Sequence, residues 1–210
     1  MNPADHIVEP GTYALLQRLM ADRELDKFFL VGGTALALYY RHRLSIDLDL
    51  FTQERFDSER LREYVSDTYG FRRKDQFNNG LMGFVEGVKI DFIRHAYPLV
   101  QPLGHRDGVR MTSALDIAAM KLNAIAGNGT RVKDFYDVYV LLEHFTIKEM
   151  VDAYELKYPD AGAPMAVRSL SYFDDIDFDR EPALMAEPID FGAVRERLRQ
   201  AVLEPFRTFP

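Results

Sequence analysis

The sequence predicts an α+β fold in which a mixed half, residues 1–110, precedes an α-helical half, residues 111–210. Three observations carry the reading. Short runs with strand character fall at 28–31, 45–51 and 80–95; segments of helical spacing separate them; and from Ser113 onward the pattern is helical alone. With 210 residues, 47% of them hydrophobic and 28% charged, the chain can bury a sizeable core, as one domain or two small ones.

Taken in order, Tyr13, Leu16 and Met20 beside Leu15 and Leu19 form a helical stripe after Pro10-Gly11. FFLV at 28–31 ends in Gly32-Gly33, and TALALYY returns to helix formers, so a strand, a glycine turn and a helix start follow one another. SIDLDLF at 45–51 alternates, with Ile46, Leu48 and Leu50 on one face and Ser45, Asp47, Asp49 and Phe51 on the other. Asp57 to Tyr69 reads as a helix stopped by Gly70. GLMGFVEG and VKIDFIRH read as two strands joined near Gly87, giving a sheet of at least four strands. Beyond them, Ser113 with Asp116 and Thr146 with Glu149 open helices, and Val194, Leu198, Ala201 and Val202 form the inward stripe of a last helix from Phe191 to Leu203.

Composition excludes several chemistries. With no cysteine there are no disulfides, thiolate nucleophiles or zinc-thiolate sites. His6, His42, His95, His105 and His144 show no metal-ligand spacing, and no G-x-S-x-G is present. No apolar run approaches the roughly 18 residues of a membrane span, and MNPADHIVEP lacks the features of a signal peptide, so a cytoplasmic protein without membrane association is expected. The net charge of −7 is uneven: residues 174–190 carry −6, which reads as an exposed acidic connector, and leave the body nearly neutral, with basic clusters at Arg41-His42-Arg43 and Arg72-Arg73-Lys74.

The chemistry-bearing residues begin with Asp47 and Asp49. Two apart on a strand, they leave the same side, and such close like charges protonate in part or bind a hard cation, Mg²⁺ or Mn²⁺. An isolated D-x-D is more often a solvated strand face, but here it follows Gly32-Gly33-Thr34 at a strand-to-helix junction, where glycines admit a phosphate and helix amides attract it. A metal-bound triphosphate needs both parts. Asp91, between Ile90 and Phe92, adds a third acid on the exposed side of its strand. Lys121 is the one cation between Ala114 and Ala126 and shares a helix face with Ile117 and Ile125, so it either snorkels or meets a partner. Arg131, Asp134 and Asp137 step by three along the next helix, opposite an apolar stripe of Val132, Phe135, Tyr136, Tyr139 and Leu142; alone, this reads as a salt-bridge ladder.

Together, V-G-G-T-A-L-A-L, R-H-R-L-S-I-D-L-D-L-F, V-K-I-D-F-I, D-I-A-A-M-K and R-V-K-D-F-Y-D-V resemble the AbiEii/AbiGii toxin family of the polymerase-β-like nucleotidyltransferases. The most specific blocks are D-x-x-x-x-K and R-x-K-D-x-x-D. The resemblance implies a nucleotidyltransferase-type mixed sheet with flanking helices and a helical C-terminal part, which uses Mg²⁺ to transfer a nucleoside monophosphate from an NTP. It further implies an RNA acceptor, tRNA in characterised relatives, and a cognate antitoxin. Residue by residue, Gly32, Gly33, Thr34 and Ser45 would hold the triphosphate with Lys121, Arg131 and Asp137. Asp47, Asp49 and Asp91 would hold metal, and Lys121 and Asp134 would join Asp47 and Asp49 in catalysis, Asp134 orienting Lys121 or the acceptor hydroxyl. Two other readings stand beside it: an interaction module that keeps the fold without catalysis, and nucleotidyl transfer onto a protein or small molecule.

Overall fold

The structure, a computed structural model, describes residues 7–179 and 182–210. A seven-stranded mixed sheet has the order β3-β4-β5-β2-β1-β7-β6. Its strands are β1 (Phe29–Val31), β2 (Leu48–Thr52), β3 (Arg72–Phe77), β4 (Gly80–Val85), β5 (Val88–Arg94), β6 (Gly104–Arg106) and β7 (Val109–Met111). Pairing is antiparallel except for β2 with β5 and β1 with β7. Helices α1 (Pro10–Ala21), α2 (Gly32–Tyr40) and α3 (Ser58–Tyr69) interleave with the strands, and α4 (Ala114–Gly127), α5 (Val132–Leu141), α6 (Ile147–Lys157), α7 (Ala163–Ser169) and α8 (Phe191–Leu203) follow the last one.

Local chemistry sets several boundaries. Asp57 caps α3 through its carboxylate, and Gly70 ends it at φ +67°, a left-handed position. Ser113 caps α4, and Thr146 with Glu149 forms a reciprocal capping box on α6. One apolar core then runs from α1 through the sheet to α8: Leu48, Leu50, Ile90 and Phe92 point into it from the centre of the sheet, and Phe92 meets Phe28 and Phe71 edge-on or tilted.

Four expectations change. β2 begins at Leu48, so Ile46 lies outside the strand and is 53% exposed; Ser45 instead receives a backbone bridge from Val8. Strands β3 and β6 carry no apolar alternation to announce them, and β7, three residues long, is too short to stand out; β3 is a mostly exposed edge strand built on the Arg72-Arg73-Lys74 cluster, where charge discourages further pairing. The charged face of α5 is a buried one: Asp134 and Asp137 are enclosed while Tyr136 and Tyr139 are half-buried, because the acids meet cations from α4 and from the loop after α2. Lastly, the acidic connector keeps exposed acids but is tied down. Asp177 N–H donates to Thr130 O, Leu44 N–H to Leu184 O and Ala186 N–H to His42 O. Arg180 and Glu181 in this stretch, and His6, lie outside the described residues.

Candidate active site

The central feature is the join between β1 and α2. β1 ends beside β2 with Val31 opposite Asp49, and the chain turns into α2 at Gly32, whose φ of +71° favours glycine. A Cβ at Gly32 would overlap the Asp49 carboxylate, and one at Gly33 would overlap the Arg43 guanidinium. Gly32 is therefore favoured by both backbone shape and close approach, and Gly33 by close approach alone. Asp47 lies in the loop just before β2, and with Asp49 it lines a cavity of about 230 Å³ together with Gly32, Gly33, Arg43, Ser45, Phe51, Lys121, Arg131, Lys133 and Asp134. A larger cavity, about 370 Å³ between α1, α2 and the β6–β7 hairpin, contains none of the paired carboxylates.

Asp91 stands directly across from Asp49 in the parallel β2–β5 register, on the same face. It is buried, contrary to the exposed position expected, and Lys89 Nζ donates to its Oδ2 at 2.7 Å while Oδ1 accepts nothing. Burial and neighbouring Asp91 raise the Asp49 pKa, against the opposing pull of Lys89 and Lys121. Burial lowers the Lys89 ammonium pKa, but Asp91, Asp49 and Asp47 outweigh it and hold the group charged.

The opposite wall is a buried charge network. Lys121 Nζ donates to Asp134 Oδ1 at 2.6 Å and lies 2.7 Å from Asp137 Oδ2. Arg43 grips the other side of Asp137 with Nε at 2.7 Å and Nη2 at 3.0 Å, and His42 Nε2 reaches Oδ1 at 2.8 Å. Burial alone would raise the Asp137 pKa, but Arg43, Lys121 and His42 hold it well below its ordinary value. Burial likewise works against the Lys121 charge, and Asp134 with Asp137 outweighs it.

The structure thus brings Gly32, Gly33, Ser45, Asp47, Asp49, Lys121, Arg131 and Asp134 around one cavity. Two of the other expected site residues stand behind its wall. The Thr34 hydroxyl is buried, donates to the carbonyl of Asp47 and shares a 2.8 Å hydrogen bond with Ser45, which fixes the loop entering β2. Asp137 is enclosed by its cations and faces the cavity only through them. Sequence reasoning missed Arg43 and Lys89. Lys89 shares the strand face of Asp91 by simple alternation, so its signal was present; Arg43 became visible only when its partner Asp137, far along the chain, was placed beside it.

As to metal, the donors are oxygens, and burial beside Asp91 raises the Asp49 pKa, a charge penalty that a cation would relieve; the two buried carboxylate oxygens without a hydrogen bond, Asp91 Oδ1 and Asp134 Oδ2, lie beside this pair and not on it. This donor set suits a hard divalent ion at Asp47 and Asp49. Among the described residues no group of three or more His, Asp or Glu side chains is gathered to hold a metal ion, and Lys89 already occupies one oxygen of Asp91.

A glycine turn into a helix start beside paired carboxylates, on a mixed sheet followed by helices, is the arrangement of a nucleotidyltransferase, and comparison with known proteins shows that class. The family model described as nucleotidyl transferase AbiEii toxin, type IV toxin–antitoxin system, matches residues 14–209, and the chain belongs to that family. An uncharacterized protein of Aquifex aeolicus (strain VF5) is 34% identical over 166 residues, covering 76% of this chain and 80% of the relative. Among solved structures, the fold is similar to MenT4, a nucleotidyltransferase toxin from Mycobacterium tuberculosis H37Rv, at TM-score 0.58 and 16% identity over 95% of this chain and 86% of the other. It is equally similar to JHP933 from Helicobacter pylori, at TM-score 0.58 and 19% identity over 92% and 88% of the two chains.

Proposed function

We propose that this enzyme transfers a nucleoside monophosphate from an NTP to an RNA acceptor, with Mg²⁺ or Mn²⁺ held by Asp47 and Asp49. The observation that carries the reading is the single cavity in which Asp47 and Asp49 face Gly32-Gly33 on one side and Lys121 on the other. Residues 1–110 supply the glycine turn and the carboxylates, and residues 111–210 supply Lys121, Arg131 and Asp134.

The missing side chains at Gly32 and Gly33 let phosphates approach the α2 amides, whose dipole favours anions. Arg43 and Lys121 add two fixed cations, and Asp137 orients both of them, so the phosphate charge is met by groups already in place. Asp134 holds Lys121 toward the cavity, and Thr34 with Ser45 positions Asp47. When bound, the divalent ion would polarise the phosphoryl oxygens. The acceptor hydroxyl oxygen bonds to the α-phosphorus as the bond to the β-phosphate oxygen breaks. Pyrophosphate departs on the Gly33, Arg43 and Lys121 side, and the hydroxyl proton passes to water in the cavity.

Incubating the protein with each labelled NTP, Mg²⁺ and total RNA or lysate tests this reading, with Asp49→Ala as control. Label in RNA with the native chain alone supports it; label confined to protein or small molecules overturns the acceptor, and none at all overturns the activity. No helix among the described residues is long and apolar enough to cross a membrane. A cytoplasmic site of action and a cognate antitoxin complete the proposal.

A further inference from the structure

Beyond the cavity, the same face of the sheet carries a row of rings. Asp49 and Phe51 on β2 share a face with Asp91 and Ile93 on β5, and His95 continues that alternation, its N–H donating to Thr52 O at 2.7 Å. Phe51 lines the cavity beside Asp49. From there the ring centroids run Phe51 to His95 at 5.3 Å, His95 to Tyr97 at 4.8 Å and Tyr97 to Tyr158 at 4.7 Å. Tyr158, just past α6, is buried and hydrogen-bonds His95 Nε2 at 3.2 Å, which anchors the far end. Tyr97 is 44% exposed. Burial, helped by Lys157, lowers the His95 pKa to about 4, so at neutral pH its ring is uncharged.

The direction of this row decides what it serves. The phosphate cradle lies at the β1–α2 join, on one side of β2, and β5 lies on the other side. Displacement at the α-phosphorus is in line, so the leaving pyrophosphate and the entering hydroxyl occupy opposite sides of the phosphorus. The acceptor therefore enters from β5, where the rings begin.

We propose that Phe51, His95 and Tyr97 form a stacking track that receives the single-stranded 3′ end of the RNA acceptor and leads its terminal hydroxyl to Asp49. The inference rests on the reading of the site as a nucleotidyltransferase acting on RNA. Flat ring faces bind unpaired bases with little regard to sequence, since every base has a π-face, and a base held in a duplex could not reach them. Lys89 on β5, beside Asp91, suits a phosphodiester backbone entering the cavity from this side.

The test uses the full chain and a short single-stranded oligoribonucleotide ending in 2-aminopurine. Native protein is expected to bind it with fluorescence quenching as the base stacks. Tyr97→Ala is expected to weaken binding roughly 5- to 150-fold, the range that loss of one stacked base gives, with KM for NTP unchanged and Tyr97→Phe restoring affinity. Tyr97 is 44% exposed and packs on Tyr158, so a thermal unfolding curve checks that Tyr97→Ala is folded, and Tyr97→Phe separates stacking from folding. Unchanged oligonucleotide affinity and quenching in Tyr97→Ala, while native protein labels RNA, overturns the track alone. A raised KM for NTP instead assigns the rings to the incoming nucleobase and also overturns it. Native protein that labels protein but no RNA overturns the functional reading together with the track.

Discussion

Helix α4 carries two buried charges, Asp116 and Lys121, that form the D-x-x-x-x-K block, and their surroundings differ in an instructive way. Asp116 accepts from Val100 N–H at 2.8 Å, Gln101 N–H at 3.1 Å, the Ser113 hydroxyl at 2.7 Å and Lys157 Nζ at 2.9 Å. Lys157 also donates to Pro98 O at 2.9 Å. Both oxygens of Asp116 are used, and the cluster ties α6 and the loop before β6 to α4. Lys121 is paired just as closely, but it lines a cavity and its partner Asp134 keeps Oδ2 without a hydrogen bond. Burial and pairing are common to both; an open side toward the carboxylates is what fits Lys121 to the role proposed for it, and Lys157 has none.

The largest effect is expected at the carboxylates themselves. Asp49→Asn should reduce transfer by at least ~10³-fold, since it removes a charge proposed to hold the metal. Burial and Asp91 raise the folded-state pKa of Asp49, so ionisation there works against folding as pH rises through that value. The same variant should therefore melt at or above the native temperature at pH 7. A clear fall in Tm would contradict this account of Asp49.

The α4 comparison is broken or sharpened by a matched pair of variants. Lys157→Met leaves Asp116 buried without its cation and should cost about 3–5 kcal/mol, a drop of roughly 10 °C in a chain this size, with kcat retained in the folded fraction. Lys121→Met should lower kcat about 10²–10³-fold alongside a stability loss of similar size, because it leaves the enclosed Asp134 with Arg131 at 4.0 Å in place of its close cation. Scanning calorimetry and initial rates together decide it, and the reverse assignment of effects would sink the distinction.

Asp137 provides the acid limb. Its folded pKa lies well below the unfolded value of 3.8, so its contribution is full above about pH 4 and is lost as pH falls through the folded value. Asp137→Asn should flatten the fall in Tm measured from pH 5 to pH 2, at the cost of lower stability at pH 7; an unchanged slope would show that other carboxylates dominate acid unfolding. The smallest effect belongs to Arg131→Ala. This half-exposed side chain at the cavity rim should change KM for NTP by a factor of a few with kcat nearly native, and a loss comparable to that of Lys121→Met would move Arg131 into the catalytic wall.

The glycine turn, the D-x-D and the helix caps were legible because each depends on neighbours within a few residues. Strand β3 was not, because an exposed edge strand needs no alternation, and the inward face of α5 was misjudged because charge patterning alone reads as solvent-facing. Asp134 and Asp137 are buried by partners from α4 and from the His42-Arg43 loop, a long-range pairing that no local period encodes. The roles expected of Lys121 and Asp134 came from the family blocks; the structure adds the positions of Arg43 and Lys89, which follow from sheet register and packing.

The close approach at Gly32 and Gly33 has an evolutionary side. At each position a single added methyl group would collide with a working side chain, Asp49 at one and Arg43 at the other, while most of the core lies elsewhere. In a toxin family, where bearers of an unrestrained copy gain by losing its activity, one nucleotide change from glycine to alanine offers a short route to silence. The two codons at the proposed phosphate cradle are thus the places where escape from poisoning should first be written into the gene.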